Sequence, residues 1–516
     1  MDFTINIIFY IALFCLIIIF STLDLNIDFD FWARLIVGKT FFQTGSLLNN
    51  DFYSFGPTKE FIDHEWGSSL IFYLIQKNFS EIGIFLFKIL IIFFTFFIIT
   101  KIIKLENEKA KFHILFFFFI IQSVCYNIFS TIRCQTFSFL FFVLYLYILK
   151  FAKTKNNYKV LWTIPFLNIV WQNMHGGFVL GLVIVLLFGI GEKLNKKPSK
   201  PYFLTFLATL PTLFINPYGF KYITYIFDAF MLKRTYITEW QSAFFGENEY
   251  GNILIKFKVL FFVALILFLY SIISQIKKKG FKKFYLEIDK SKYLLILFVS
   301  LISLKSLRCH VFFSYTLLAF CYLDFYNIFN KKLPKVLDNL KEIILCFLLV
   351  ISAFSHIYNN GFETKVSKKE YPTKCVEFIQ KNNLKGNVFT IFHTGSYVAY
   401  KLYPKNFVFM DGRYEEVYKE GLIDEMAAFH LAKSKEDKNY KYFTEKYYID
   451  LYIIDKFYPV YNALKKDSNF ILAFEEEQFA LFLNKKSISN IKKSYIQPNK
   501  DEKTTNSEKF KTNVNF

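Results

Sequence analysis

The chain has 516 residues, 54% of them hydrophobic with 70 phenylalanines, and a formal net charge of +20. A water-soluble globule of this length could not hide so many apolar side chains, so the composition excludes an ordinary soluble enzyme and indicates a polytopic α-helical membrane protein. The charge does not form a nucleic-acid face either, because lysines collect in alternate loops, at 101–111, 150–159, 193–200, 277–292 and 331–341. That is the positive-inside pattern; it sets the N-terminus in the cytoplasm and both the loop 24–68 and everything after residue 358 outside.

Residues 5–23 lack a basic leader and a small-residue cleavage site, so they read as a retained helix and not as a signal peptide. The loop 24–68 then opens with Asp24, Asp28 and Asp30, the last two in the run Asp28-Phe29-Asp30-Phe31-Trp32-Ala33-Arg34. It continues through Gly45 and Asp51-Phe52-Tyr53-Ser54-Phe55 to Asp63-His64-Glu65-Trp66. A carboxylate at a low-dielectric edge gains proton affinity and suits a general base toward a hydroxyl. The bland alternatives are helix capping, pairing with Arg34, or a plain non-cytoplasmic loop. The concentration of acids with Asp-His-Glu-Trp in one loop favours chemistry. Residues 67–77 are apolar but short, as in an interfacial helix or a broken span.

With 5–23, the segments 81–100, 112–129, 136–150, 160–174, 177–190, 202–215, 255–275, 292–305, 309–324 and 340–357 make eleven expected spans. Polar residues mark their outer ends: Thr131-Ile132-Arg133-Cys134-Gln135, Trp171-Gln172-Asn173-Met174-His175-Gly176-Gly177, Asn216-Pro217-Tyr218-Gly219 and Ser306-Leu307-Arg308-Cys309-His310. The outer loop 216–254 adds Glu239-Trp240, an echo of Glu65-Trp66. Arginines there suit an anionic phosphate, which guanidinium binds bidentately. The competing readings are arginines snorkelling to lipid headgroups, a helix stop at Asn216-Pro217, and a packing role for His175.

From Tyr371 the apolar runs shrink to strand length, at 387–392, 407–410, 451–454, 470–474 and 479–483, with helix-like stretches at 413–431 and 436–448. This alternation predicts a small α/β domain over 371–485, after a membrane domain over 1–358. Residues 486–516 read as a disordered tail. In the C-terminal region Asp411-Gly412-Arg413 follows a strand, where such domains bind ligands, although Asp-Gly is also a plain turn. The seven cysteines are scattered, Cys375 alone falls in this region, and no spacing suits a disulfide framework or a structural zinc; Cys134 and Cys309 sit near outer helix ends. No Walker A loop, dinucleotide fingerprint or HExxH motif is present.

Taken together, these pieces resemble the GT-C superfamily of membrane glycosyltransferases, in particular its bacterial RgtA/B/C/D-like members. The matching runs are Asp28 to Trp32, Asp51 to Phe55, Asp63 to Trp66, Arg133 with Gln135, Trp171 to Gly177, Asn216 to Gly219, Glu239-Trp240 and Asp411 to Arg413. The resemblance covers nearly the whole chain except the tail. It implies a bacterial plasma-membrane enzyme with a GT-C-like fold, performing inverting transfer of a sugar from a polyprenyl-phosphate carrier to an acceptor hydroxyl of a cell-envelope glycan, lipid or protein. In that mapping Asp28 or Asp30 is the base, and Arg133 and Arg308 hold the carrier phosphate. Trp32, Asp51, His64, Glu65, Asn173, His175 and Glu239 line the substrate site. No cofactor is implied with certainty; the outer carboxylates would accommodate a divalent cation, though no spacing specifies one. Two departures stand out: Ala33-Arg34 replaces the expected flank of the first motif, and the Trp-Trp-Asp-Tyr-Gly signature of oligosaccharyltransferases is absent. The alternatives from other classes are a flippase or transporter of lipid-linked glycans and a non-catalytic envelope assembly protein. Spans nearly free of acids argue against the flippase.

Overall fold

The computed structural model describes residues 2–47, 50–124, 132–231, 238–242, 244, 251–329, 335–413 and 417–487. The tail expected from 486 thus falls outside the described residues from 488 onward, as do Cys125, Thr131 and parts of the loop 216–254. The chain is mostly helical with one small sheet, and it folds as two compact units. The first comprises Met1–Asn26, His64–Ser68 and Leu74–Lys365; the second comprises Ile27–Asp63, Ser69–Tyr73 and Val366–Phe516.

Among the described residues six helices are long and apolar enough to cross a membrane: Thr4–Ser21, Trp66–Glu106, Gln135–Thr154, Ile255–Lys279, Leu307–Ile328 and Leu337–Asn360. The helix Trp66–Glu106 is interrupted at Ser80, whose φ of 53° is left-handed, so the apolar stretch from 67 and the span from 81 are two pieces of one element. Five other expected spans are shorter helices: Ile114–Ser123 (10 residues), Thr163–Met174 (12), Phe178–Leu194 (17), Lys200–Thr209 (10) and Lys290–Lys305 (16). The sequence explains two of these ends. Gly176-Gly177 separates two helices, and Pro211 tightens the end of another into the 3-10 turn Leu210–Phe214.

Ion pairs fasten helix ends on the lysine-rich side. Lys153 Nζ bonds Glu192 Oε1 at 2.6 Å and Asp289 Oδ1 at 2.5 Å, joining the ends of three helices, and Lys150 pairs with Glu106. Lys292 meets Asp324 at 2.6 Å, and His113 Nδ1 meets Glu342 at 2.8 Å. Breaking the buried Lys153–Glu192 pair would strand a charge in a poorly solvated place, at about 3–5 kcal/mol.

The second unit corrects the expected loop 24–68. Residues Phe29–Thr44 form a helix with nine buried residues, capped by Asp28 and closed by Gly45 at φ 74°. Its apolar face, Phe31, Trp32, Leu35 and Ile36, is what the acidic flank conceals in sequence. Gly38 lies so close to Ser69 that an added Cβ would sit 2.4 Å from the Ser69 carbonyl oxygen. The domain boundary also differs from 358: segment 27–63 belongs with the C-terminal residues, not with the membrane-length helices.

The sheet orders as β2 (Asn406–Val408), β1 (Gly386–Phe389), β3 (Leu451–Asp455), β5 (Phe479–Asn484) and β4 (Phe470–Glu475). Strands β1, β2 and β3 run parallel, and β5 runs antiparallel to β3 and β4. All five lie at the apolar runs predicted for them. The free edge of β2 is covered by residues 53–56: Val408 N donates to Tyr53 O at 3.0 Å and Phe55 N to Val408 O at 2.9 Å. Pairing this edge removes a row of open backbone groups. Phe61 then joins a core of Phe389, Phe409, Phe429, Phe443, Tyr452 and Phe482.

Candidate functional site

In the first unit the polar residues singled out by sequence gather at the helix ends opposite the lysine clamps. Arg133 stands just before the helix Gln135–Thr154, and Arg308 lies in the 3-10 turn Leu307–Cys309. Both are held by one carboxylate: Arg133 Nη1 donates to Glu239 Oε1 at 2.6 Å and Arg308 Nε to Glu239 Oε2 at 3.0 Å. The turn Thr238–Trp240 that carries Glu239 is anchored from below by Leu307 N to Gln241 O at 3.0 Å and Ser306 Oγ to Glu239 O at 3.2 Å. Trp240 lies 5.2 Å from the Arg308 guanidinium. Gln135, with its amide oxygen toward Arg308, accepts from Nε at 2.7 Å.

Burial opposes the charged form of Glu239, but Arg133 and Arg308 overcome it and hold the carboxyl below the usual range. Two guanidiniums thus converge on one carboxylate. The arginine side chains are 24% and 27% exposed, so a ligand can reach them. Glu239, 8% exposed, meets the arginines and orients them.

A second cluster lies one helical turn away. Gln135 and Ser138 are i and i+3 on the first turn of their helix, so they share a face with Cβ atoms about 5–6 Å apart. Ser138 Oγ lies 2.7 Å from His175 Nδ1. His175 Nε2 lies 3.6 Å from Glu65 Oε1, and His64 Nε2 lies 3.8 Å from the same oxygen. His64 Nδ1 is in turn 3.0 Å from the Tyr225 hydroxyl. Glu65 immediately precedes the helix beginning at Trp66, where a negative charge is favoured by the helix dipole. The chain break that exposes His175 is local: the helix Thr163–Met174 ends, His175 is extended, and the next helix begins at Phe178.

Asn173, expected to line the substrate site, is buried and clamped by hydrogen bonds. Its Oδ1 accepts from Trp66 Nε1 at 2.8 Å, and its Nδ2 donates to Ile169 O at 2.7 Å and Ile215 O at 3.1 Å. Gln172, buried beside it, ties to Thr212 O and Ile215 O. The Trp171 to Gly177 run therefore divides into buried fasteners and the half-buried His175.

In the second unit Asp28 acts as the cap of its helix: its Oδ1 accepts from Asp30 N at 2.9 Å, and the residue is 8% exposed. Asp30 is exposed, with a carboxylate oxygen 3.4 Å from where a Cβ on Gly412 would stand. Arg34 pairs with Asp63 at 2.5 Å.

Trp32 and Asp51, both expected at the substrate, have buried side chains packed or paired within the second unit. Trp32 is 2% exposed, with ring centroids of Tyr397 and Tyr400 at 5.0 and 5.4 Å. Asp51 is sealed in an ion cluster with Arg413, whose Nη2 donates to it at 2.5 Å. Arg413 Nε also donates to Asp411 Oδ1 at 2.9 Å, and Asp411 accepts from Tyr53, Ser396 and Tyr418 hydroxyls at 2.6, 2.7 and 2.9 Å. Burial alone would raise the Asp411 carboxyl, yet Arg413 and these hydroxyls hold it below its usual range. The Asp411-Gly412-Arg413 run is thus a buried fastener and not an open ligand loop.

Ser138 and Tyr225 were missed by sequence reasoning. Only the helical i+3 spacing from Gln135 could have pointed to Ser138. Among the described residues no group of three His, Cys, Asp or Glu side chains is arranged to hold a metal ion, and no disulfide joins the six described cysteines. No family model matches the chain, and no curated protein matches it.

Proposed function

We propose that this protein is an integral-membrane glycosyltransferase that moves a sugar, with inversion, from a polyprenyl-phosphate carrier to an acceptor hydroxyl at the outer face of a bacterial plasma membrane. In this reading all eleven expected segments are embedded in a GT-C-like arrangement and the C-terminal α/β region is extracytoplasmic. The observation that carries it is the Arg133–Glu239–Arg308 arrangement, a pair of guanidiniums about a quarter exposed, with the His175–Glu65 pair braced on the same helical turn. An anionic leaving group needs such donors already in place, since preorganised charge stabilises what develops in the transition state without reorganisation. The acceptor proton requires a carboxylate base, and Asp30 is more accessible than Asp28, whose oxygen caps a helix.

The balance is simple: the acceptor O–H gives its proton to the base, its oxygen bonds the anomeric carbon, and the carbon–oxygen bond to phosphate breaks with its electrons leaving on phosphate. The test is an assay of purified protein with polyprenyl-phosphate sugars and isolated envelope acceptors. Sugar transfer that is lost in both Arg133→Ala and Arg308→Ala supports the reading. Unchanged transfer in both variants, or wild-type protein that moves intact lipid-linked glycan across vesicles without cleaving it, would sink it.

A further inference from the structure

We infer that Ser138 and Gly177 lock His175 as the Nε2–H tautomer, making it a neutral hydrogen-bond donor for the phosphate oxygen that leaves the sugar. The role at the phosphate rests on the glycosyltransferase reading; the lock itself does not.

The lock follows from what each neighbour can and cannot do. Gly177 N donates to His175 Nδ1 at 3.0 Å, and a backbone amide has no lone pair to offer in return. This donor favours a lone pair on Nδ1, which places the proton of the neutral ring on Nε2. Trp171 Nε1, which can only donate, bonds Ser138 Oγ at 2.7 Å. Since Nδ1 presents a lone pair, the Ser138 hydroxyl, 2.7 Å away, donates its own hydrogen there as a second donor. The order is Trp171 N–H to Ser138 O–H to His175 Nδ1, and it runs in one direction only. Nε2–H is left facing the Glu65 carboxylate, 3.6 Å away.

Two further facts make this an arrangement and not a chance contact. Ser138 is fully buried, so its hydroxyl is inaccessible as a nucleophile and acts through the imidazole, as a positioning residue. A Cβ at Gly177 would stand 2.4 Å from Ser138 Oγ and 2.9 Å from His175 Nδ1, so glycine is required for both donors to converge. Fixing a histidine tautomer through the nitrogen it does not use is a common way to orient the other. Ser138 also shares its helix face with Gln135, which bonds Arg308, so the Nε2–H donor and the arginine pair are braced by one helical turn.

The experiment is nitrogen NMR on protein labelled with ¹⁵N-histidine, in detergent at about pH 8, well above the usual histidine range. His175 is assigned by difference with His175→Gln. The expected wild-type signal is pyridine-like at Nδ1 and pyrrole-like at Nε2. Ser138→Ala removes the hydroxyl donor and should admit the second tautomer, with kcat for sugar transfer falling about tenfold at unchanged KM. Gly177→Ala should do the same by displacing the hydroxyl. A wild-type His175 that is Nδ1–H or mixed overturns the proposal, as does Ser138→Ala with both tautomer and kcat unchanged. If wild-type protein transfers no sugar, the glycosyltransferase reading falls and the NMR result alone decides the lock.

Discussion

Two arginine–carboxylate clusters, one in each unit, use the same residue types in opposite proportions. In the second unit one arginine, Arg413, is enclosed by two carboxylates, Asp51 and Asp411, and its side chain is 4% exposed. In the first unit two arginines share one carboxylate, Glu239, and remain about a quarter exposed. The acid-rich and sealed cluster has no charge to offer a ligand, so its role is to hold backbone together. The arginine-rich one leaves its guanidiniums partly exposed, where the proposed carrier phosphate would meet them. Stoichiometry and exposure thus separate the sealed fastener from the proposed binding site when residue identity does not.

The sharpest way to break the comparison is at Arg413. Replacing it by Met leaves Asp51 and Asp411 buried without a counter-charge and should cost about 3–5 kcal/mol. The expected result is a much lower unfolding temperature or loss of the monodisperse peak on size exclusion. The reverse pattern is expected of Arg133→Ala and Arg308→Ala: near-normal unfolding temperature, with transfer reduced on the order of 100-fold, equivalent to about 2.7 kcal/mol. Stability loss as large as that of Arg413→Met would make the two clusters alike.

The two aspartates of the first motif give a smaller contrast. Asp28→Ala removes a helix cap and should lower stability by about 1 kcal/mol. Asp30→Asn should leave thermal unfolding within about 0.5 kcal/mol of wild type while abolishing transfer. Transfer retained in Asp30→Asn and lost in Asp28→Asn would reassign the base.

The smallest effect is the acid response. Asp411 and Glu239 are both held below the ordinary carboxylate range. A depressed carboxyl contributes stability that is present above its unfolded value and lost as pH falls through its folded one. Unfolding temperature should therefore be level from neutral pH to about pH 5 and decline below about pH 4. Arg413→Met should flatten part of that decline, because it removes the guanidinium that lowers Asp411.

The strands were legible because short apolar runs between turn residues leave little else to form. The long apolar helices were legible for the same compositional reason. The helix Phe29–Thr44 was not, since the acids that cap its start were read as loop chemistry. Trp32 shows the cost of motif reading: an aromatic beside catalytic-looking acids turns out to be 2% exposed core. The sites divided similarly. Arg133 and Arg308 were found from charge at span ends, but their shared Glu239 lies 106 and 69 residues away and no local pattern joins them. Asp51 and Arg413 are 362 residues apart, so their pairing exists only in three dimensions.

That separation has a consequence for how the protein is made. Residues 51–61 leave the ribosome early, but the strand edge they cover and the arginine that neutralises Asp51 are translated much later. At about 5–20 residues per second the interval is on the order of tens of seconds. Throughout it the segment carries an unshielded acid and the apolar Phe55 and Phe61 with no native partner. Compaction of this segment therefore waits until the C-terminal residues have been made. A nascent chain arrested before residue 406 should accordingly be cut by protease within 50–63, whereas the finished protein should resist cleavage there.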